Sequence, residues 1–176
     1  APQDGVHAIR IAAAAIAEMA IGRIGDDTTV NVGQIEGGRA SNIVPDYCEV
    51  SGELRSFSHE KALEELAKVE QIFAKEAEKR GGSIEFIRDI CYQAYKTDEK
   101  ESVVKEFQKA CTACGIKSSL IATFGGSDQN KMSEHGIPGI VMASAMHQGH
   151  SCQEYTEVSE MAQVAGIVSE LLQMKE

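Results

Sequence analysis

The sequence predicts an α/β protein in two parts, and three observations carry that reading. Residues 1–92 run helix, strand, strand, helix, strand. Residues 98–176 run helix, strand, helix, strand, helix, the pattern of a parallel sheet with helical crossovers. Between them, Ala94-Tyr95-Lys96-Thr97-Asp98 marks a change of style that places a domain boundary at 97/98.

In the first part, Ala1 to Ile21 is expected to be a helix. Asp4 can cap it, and Val6, Ile9, Ala13, Ile16 and Ala20 recur on one face. Gly22 to Asp27 reads as a polar turn, and Thr28 to Ile35 as a short strand broken by Gly37-Gly38. Pro45 fixes the entry to a longer strand, Tyr47 to Phe57, with clear alternation. Cys48, Val50 and Leu54 point one way, and Glu49, Ser51, Glu53 and Arg55 the other.

Ser58 to Arg80 is the longest helix. Ser58 caps it, with Lys61 where a capping box has Glu, and Leu63, Leu66, Phe73 and Ala77 form its apolar stripe. Gly81-Gly82 ends it, and a strand from Ser83 to Tyr92 follows. This series is a ferredoxin-like βαββαβ unit lacking its first strand. A sheet without that strand exposes an unpaired edge, so residues upstream of Ala1 are expected and the chain reads as a fragment. The start at Ala1 rather than Met fits that expectation.

In the second part, the helix Ser102 to Cys114 packs through Val103, Phe107 and Cys111. A strand is expected at Ser118 to Phe124, then the turn Gly125-Gly126-Ser127-Asp128 and a short helix to His135. Ile137 to Ala143 is an apolar run of buried-strand type. A loop carries His147 and His150, and the helix Glu157 to Met174 turns Met161, Val164, Val168 and Leu171 inward. Two strands cannot make such a sheet alone, so this half too is expected to be partial.

Composition narrows the function. Hydrophobic content of 43% and charged content of 25% are those of a soluble globular protein. A net charge of -10 argues against a nucleic-acid surface. No apolar run is long enough to span a membrane, and neither a signal peptide nor a membrane partner is expected. Five scattered cysteines read as reduced thiols and a cytoplasmic setting.

Individual residues divide between plain and chemical roles. His150, on a loop past an apolar run with Glu154 four residues on, is taken alone a loop histidine satisfied by a neighbour. His147 reads as solvated. Cys111 and Cys114 form a lone Cys-x-x-Cys that packs a helix. Asp128 is equally a helix cap or an acid–base group. Arg55 either pairs with Glu53 or Glu49 or binds a ligand. Glu64-Glu65 and Glu76 to Arg80 read as charged helix faces.

Several segments together carry a resemblance. They are Asn31-Val32-Gly33-Gln34-Ile35-Glu36-Gly37-Gly38, Asn42-Ile43-Val44-Pro45-Asp46 and Gly52-Glu53-Leu54-Arg55-Ser56, then Gly125-Gly126-Ser127-Asp128-Gln129-Asn130, Gly136-Ile137-Pro138 and His150-Ser151-Cys152-Gln153-Glu154-Tyr155. In this order they resemble the dinuclear zinc peptidases, the family of peptidase T, carboxypeptidase G and succinyl-diaminopimelate desuccinylase, with peptidase T-like members nearest.

The resemblance implies that residues 1–97 are the lid, or dimerisation, domain and residues 98–176 the C-terminal part of the catalytic domain. It implies a homodimer through the lid and two Zn2+ in the intact enzyme. It also implies a metal-activated water that cleaves a short peptide. His150 is then a metal ligand, Asn42 and Arg55 reach the substrate from the lid, and Gly126 and Ser127 approach it as a loop. The family's other ligands and its general base match nothing in this chain, so the chain alone is expected to be inactive and to hold no zinc stably. An amidohydrolase or deacylase of small N-acyl substrates, including N-acyl amino acids, and a non-catalytic dimerisation module are the competing readings.

Overall fold

The computed structural model describes residues 1–174. The chain is α/β and forms two compact units, Ala1–Ala94 and Tyr95 onward.

The first unit is built on an antiparallel sheet of β1 (Gly22–Ile24), β2 (Thr28–Gly37) and β3 (Cys48–Ser56), with β2 in the centre. The polar turn expected at 22–27 therefore holds a strand, because Gly25 at φ +62 lets the chain reverse and pair Ile24 with Thr28. The reversal is held by the Arg23 guanidinium, which donates to the Asp26 carbonyl at 2.7 Å.

The longer ladder, β2 with β3, carries a bulge at Gly33: Val32 faces Gly52, but Gln34 faces Ser51. Gly52 is glycine for a steric reason. A Cβ there would lie 2.5 Å from the Asn31 carbonyl oxygen, inside van der Waals contact with backbone that cannot yield.

Helices α1 (Ala8–Glu18) and α2 (His59–Lys79) pack against each other and against the sheet. The apolar residues buried in these helices and the sheet are Ile11, Ala12, Ala15, Val30 and Ala77. Two expectations for α1 fail. Pro2–Asp4 is a separate 3-10 turn, so Asp4 does not cap the helix. The N-cap is His7, whose Nδ1 accepts from the Arg10 N–H at 3.3 Å. The buried face is Ile11, Ala12 and Ala15, while Val6 and Ala13 are exposed. In a run as rich in Ala and Ile as 8–17, several stripes satisfy the helical period, and packing selects one.

α2 begins as expected, with Ser58 Oγ accepting from Lys61 N–H at 3.3 Å. Lys61 reaches back to Asp27 in the β1–β2 turn, and that pair holds the Asp27 carboxyl below its ordinary range. This accounts for a lysine where a capping box would place Glu. The helix ends in a Schellman turn: Gly81 at φ +72 donates to Glu78 O at 3.1 Å, and Gly82 to Ala77 O at 2.9 Å.

Leu63, placed in the stripe by sequence, is exposed, and Glu76, read as part of a charged surface face, is buried. Burial pushes the Glu76 carboxyl up. Arg80 one turn on and Lys79 at 3.6 Å more than offset this, and it titrates below its ordinary value.

Residues 83–92 join no strand ladder, contrary to expectation. Their alternation survives, with Ile84 and Phe86 half-buried and Ser83 and Glu85 exposed. In a ferredoxin-like order their neighbour would be a strand ahead of α1, and no described residue pairs with them. What ties the segment down is the Arg88–Glu70 ion pair to α2.

The second unit holds α3 (Ser102–Ala113), α4 (Asp128–Glu134), the two-residue strands β4 (Met146–His147) and β5 (Tyr155–Thr156), and α5 (Val158–Gln173). α3 and α5 pack through Ala110, Cys111 and Ile167, with Phe107, Cys114, Ile116, Met142 and Leu171 around them. Cys111 and Cys114 are thus packing residues, free and not bridged, and burial pushes the Cys111 thiol up.

The α5 face is turned from the expected one. Ile167 is its buried residue, and Met161 and Val168 are exposed. In α3, beside Ala110 and Cys111, Val104 is buried rather than Val103. Neither expected strand, 118–124 or 137–143, has a ladder partner among the described residues. The run read as a buried strand is open to solvent, with Ile137 54% and Val141 58% exposed, and Ile121 in the other segment reaches 83%. A strand needs a neighbour about 4.8 Å away to form its ladder. No described segment provides one here.

Two outcomes follow. Gly52→Ala is expected to destabilise the first unit by about 2 kcal/mol in urea unfolding, because the new methyl meets backbone. Glu76 has a depressed carboxyl, so its stabilisation is present above the ordinary value of 4.5 and is lost as pH falls through the folded-state value. Glu76→Gln should therefore lower the melting temperature at neutral pH, with the gap to the parent narrowing below about pH 4.5. A gap of constant size across stepped-pH melts would refute this assignment.

Candidate functional site

The residues singled out by sequence fall on two surfaces of the first unit and two loops of the second. On the first unit, Asn42 stands exposed in the β2–β3 connection. The connection is anchored below it. Pro45 is buried, its carbonyl accepts from the Ala8 N–H at 2.9 Å, and so the loop closes the start of α1. Asp46 pairs with Arg39 at 3.1 Å. Asn42 is thus presented by a fixed base rather than by a free tip.

Arg55 lies on β3 opposite Thr29, on the sheet face away from the helices, as the alternation requires. Its Nη2 donates to Glu53 Oε2 at 2.8 Å and its Nε to Glu53 Oε1 at 3.1 Å. This fork is the geometry an arginine uses for any carboxylate. Glu53 raises the Arg55 pKa and keeps the guanidinium charged. Both side chains remain about half exposed, so the pair itself contributes little stability.

On the second unit, Gly126 is exposed and Ser127 is the N-cap of α4. Asn130 Oδ1 accepts from the Ser127 N–H at 3.0 Å, closing the loop onto the first turn. Asp128 is the first helical residue, so the cap it was read as is Ser127. Gln129 braces the next loop, donating to Ile137 O at 3.0 Å and packing over Gly139, where a Cβ would collide with its amide. Gln129 thereby joins the segment of the glycine loop to the one that follows Gly136.

His150 sits on the seven-residue connection from β4 to β5, at φ +64. Gln148 at +51 and Ala145 at +61 share the left-handed region, a concentration of backbone strain over six residues that is typical of functional loops. The loop is closed on itself. The His150 N–H donates to Glu154 Oε2 at 2.9 Å, Ser151 Oγ to Gln148 O at 2.8 Å, and the Gln153 N–H to Ser151 Oγ at 3.1 Å. The imidazole stands exposed above it. Beside the loop lies a shallow open cavity of about 340 Å3 lined by Ser144, Met146, Glu154, Tyr155, Thr156 and Met161.

Sequence reasoning missed His147. It is not a solvated bystander. Its ring stacks on Tyr155 across the hairpin, with centroids 4.8 Å apart and planes at 16°, and its Nε2 lies 2.6 Å from Glu160 Oε2. A carboxylate only accepts, so Nε2 carries the proton. No periodicity links positions 147, 155 and 160, and the short hairpin gives too little alternation to announce itself.

As a metal centre the donor set falls short. Among the described residues no three His, Cys, Asp or Glu side chains converge. A catalytic zinc needs about three protein ligands and an open position. His150 alone does not fit one.

Comparison with known proteins finds similarity along nearly the whole chain. Residues 1–81 match the family profile described as the peptidase dimerisation domain. The uncharacterized protein YqjE of Bacillus subtilis (strain 168) is 34% identical over 172 residues, 98% of this chain and 46% of that protein. Among crystal structures, the aminopeptidase PepT from Bacillus cereus ATCC 10987 is 36% identical, with TM-score 0.86 over 98% of this chain and 46% of that one. A tripeptidase from Staphylococcus aureus subsp. aureus Mu50 is 31% identical, with TM-score 0.92 over the same shares. The YXEP protein of Bacillus subtilis, a dinuclear metal binding peptidase from the M20 family, shares the fold at 18% identity, with TM-score 0.73 over 94% of this chain and 45% of that one. The chain spans about half the length of these relatives.

Asn130→Ala removes the side chain that closes the glycine loop. Amide exchange at Ser127 should then rise, with a loss of about 1 kcal/mol in α4 stability and no change in the α3–α5 core.

Proposed function

We propose that this chain, whose residues 1–81 match the profile of the peptidase dimerisation domain, belongs to a metal-dependent peptidase of short peptides, of the aminopeptidase or tripeptidase type. The observation that supports this most strongly is the similarity of nearly the whole chain, 98% of it, to the B. cereus aminopeptidase and the S. aureus tripeptidase. A dimerisation domain alone would not account for the match beyond residue 81.

In this reading residues 1–97 form the lid and residues 98–176 contribute part of the catalytic domain. The lid makes the homodimer, in a cytosolic setting. Arg55 exchanges Glu53 for a substrate carboxylate, using the fork already formed. Asn42 offers an amide on a fixed base, and the Gly126-Ser127 loop approaches the substrate backbone. His150 is one ligand of a dinuclear zinc centre that this chain's described donors do not complete. The 176-residue chain by itself is therefore expected to be inactive.

The test uses the full product of the gene that encodes this chain. It should release amino acids from tripeptides and carry two zinc ions per subunit. His150→Ala should cut kcat/KM by about 100-fold or more. Arg55→Ala should instead raise KM by about tenfold, the loss of a charge-assisted pair, with kcat less affected. Cleavage of N-acyl amino acids but not of peptides would turn the reading to a deacylase. A protein with neither metal nor hydrolysis would sink the enzyme altogether.

A further inference from the structure

We propose that His147 is a positioning residue, the latch that holds the His150 loop between the β4–β5 hairpin and helix α5. The argument begins with the weakness of the hairpin. β4 and β5 are two residues each, paired only as Met146 with Thr156 and His147 with Tyr155. An isolated two-stranded hairpin is marginal at best, and this one must close a connection that contains two non-glycine residues in the left-handed region. Strained backbone persists only where its surroundings over-determine it.

His147 supplies that determination from a single ring. Its face covers Tyr155 on the opposite strand, so the two ends of the loop are clamped together. Its Nε2–H binds Glu160, which lies in the first turn of α5. The clamp is thereby fixed to a helix whose own position is set by Ile167 against α3. One side chain joins both strands to the packed part of the unit.

Inside the clamp the Glu154 carboxylate takes the His150 N–H, and that bond fixes the backbone from which the imidazole projects. Glu154 adjoins Tyr155, so the stack that holds Tyr155 also holds the acceptor of this bond in place. The His147–Glu160 contact is two-fifths exposed and would be weak by itself. Its effect is local, on the opening of seven residues and not on the fold of the unit.

The functional weight of the latch rests on His150 being a ligand, but the latch is testable without that reading. Amide exchange by NMR on this chain is the first arm. His147→Ala should speed exchange at the His150 and Glu154 amides by about tenfold, the size expected for losing a coupled polar pair. Amides in the middle of α5 should be unmoved. Glu160→Ala, which leaves the hairpin sequence intact, should do the same. Glu160→Gln should restore the parental rate, since its amide oxygen still accepts from Nε2–H. Unchanged exchange at His150 in both alanine variants would overturn the latch, and so would equal acceleration throughout α5.

The second arm is zinc affinity of the full gene product, read by competition with a chromophoric chelator. His147→Ala should weaken it by about 10- to 100-fold. If exchange responds and zinc affinity does not, the latch stands and His150 as a ligand falls.

Discussion

The ladder between β2 and β3 is the constraint on which the first unit depends. It is the longest run of paired backbone in the chain, and both helices rest on the sheet it centres. Its register is narrow because Gly52 meets the Asn31 carbonyl with no room for a side chain, and because the Gly33 bulge absorbs one extra residue on one strand only. A slip by one position would turn Val30 out of the core and Arg55 into it. Core and candidate site are therefore specified together: the register that buries Val30 is the register that exposes Arg55.

The same economy recurs at the edges of this sheet. The connection that carries Asn42 caps α1 through the Pro45 carbonyl, so a candidate binding loop also completes a helix terminus. Lys61 gives up the usual capping-box role to neutralise Asp27 in the β1–β2 turn. Glu76 is buried at the end of α2, where two cations of that helix keep it ionised. The Lys61–Asp27 pair thus ties α2 to the β1–β2 turn, while Arg55 stays exposed on the sheet's outer face.

The second unit is organised differently. Its helices α3 and α5 make a small core, while segments 118–124 and 137–143 carry large apolar side chains in the open. The ordered part of its chemistry is the His150 loop, which holds its shape through its own hydrogen bonds and through His147. A loop braced at both ends is what metal ligation asks of a histidine, since the imidazole must be aimed before the ion arrives.

What the sequence determined by itself were the local decisions. The α/β class, the start of α2 at Ser58, its end at Gly81-Gly82, the alternation of 48–56 and the packing role of Cys111 all depend on residues within a few positions of one another. The family segments, including His150 and the glycine loop, could be recognised in the same way. Tertiary structure decided the rest. Which face of α1 is buried, why Glu76 goes inside, and how His147 finds Glu160 depend on partners far along the chain or on the opposite side of a helix. The expected strands at 83–92, 118–124 and 137–143 mark the boundary most clearly. Alternation or an apolar run expresses a residue's readiness to be covered, whereas a strand exists only through the hydrogen bonds of a neighbour. That neighbour is a property of the assembled sheet, and no pattern within the segment can supply it.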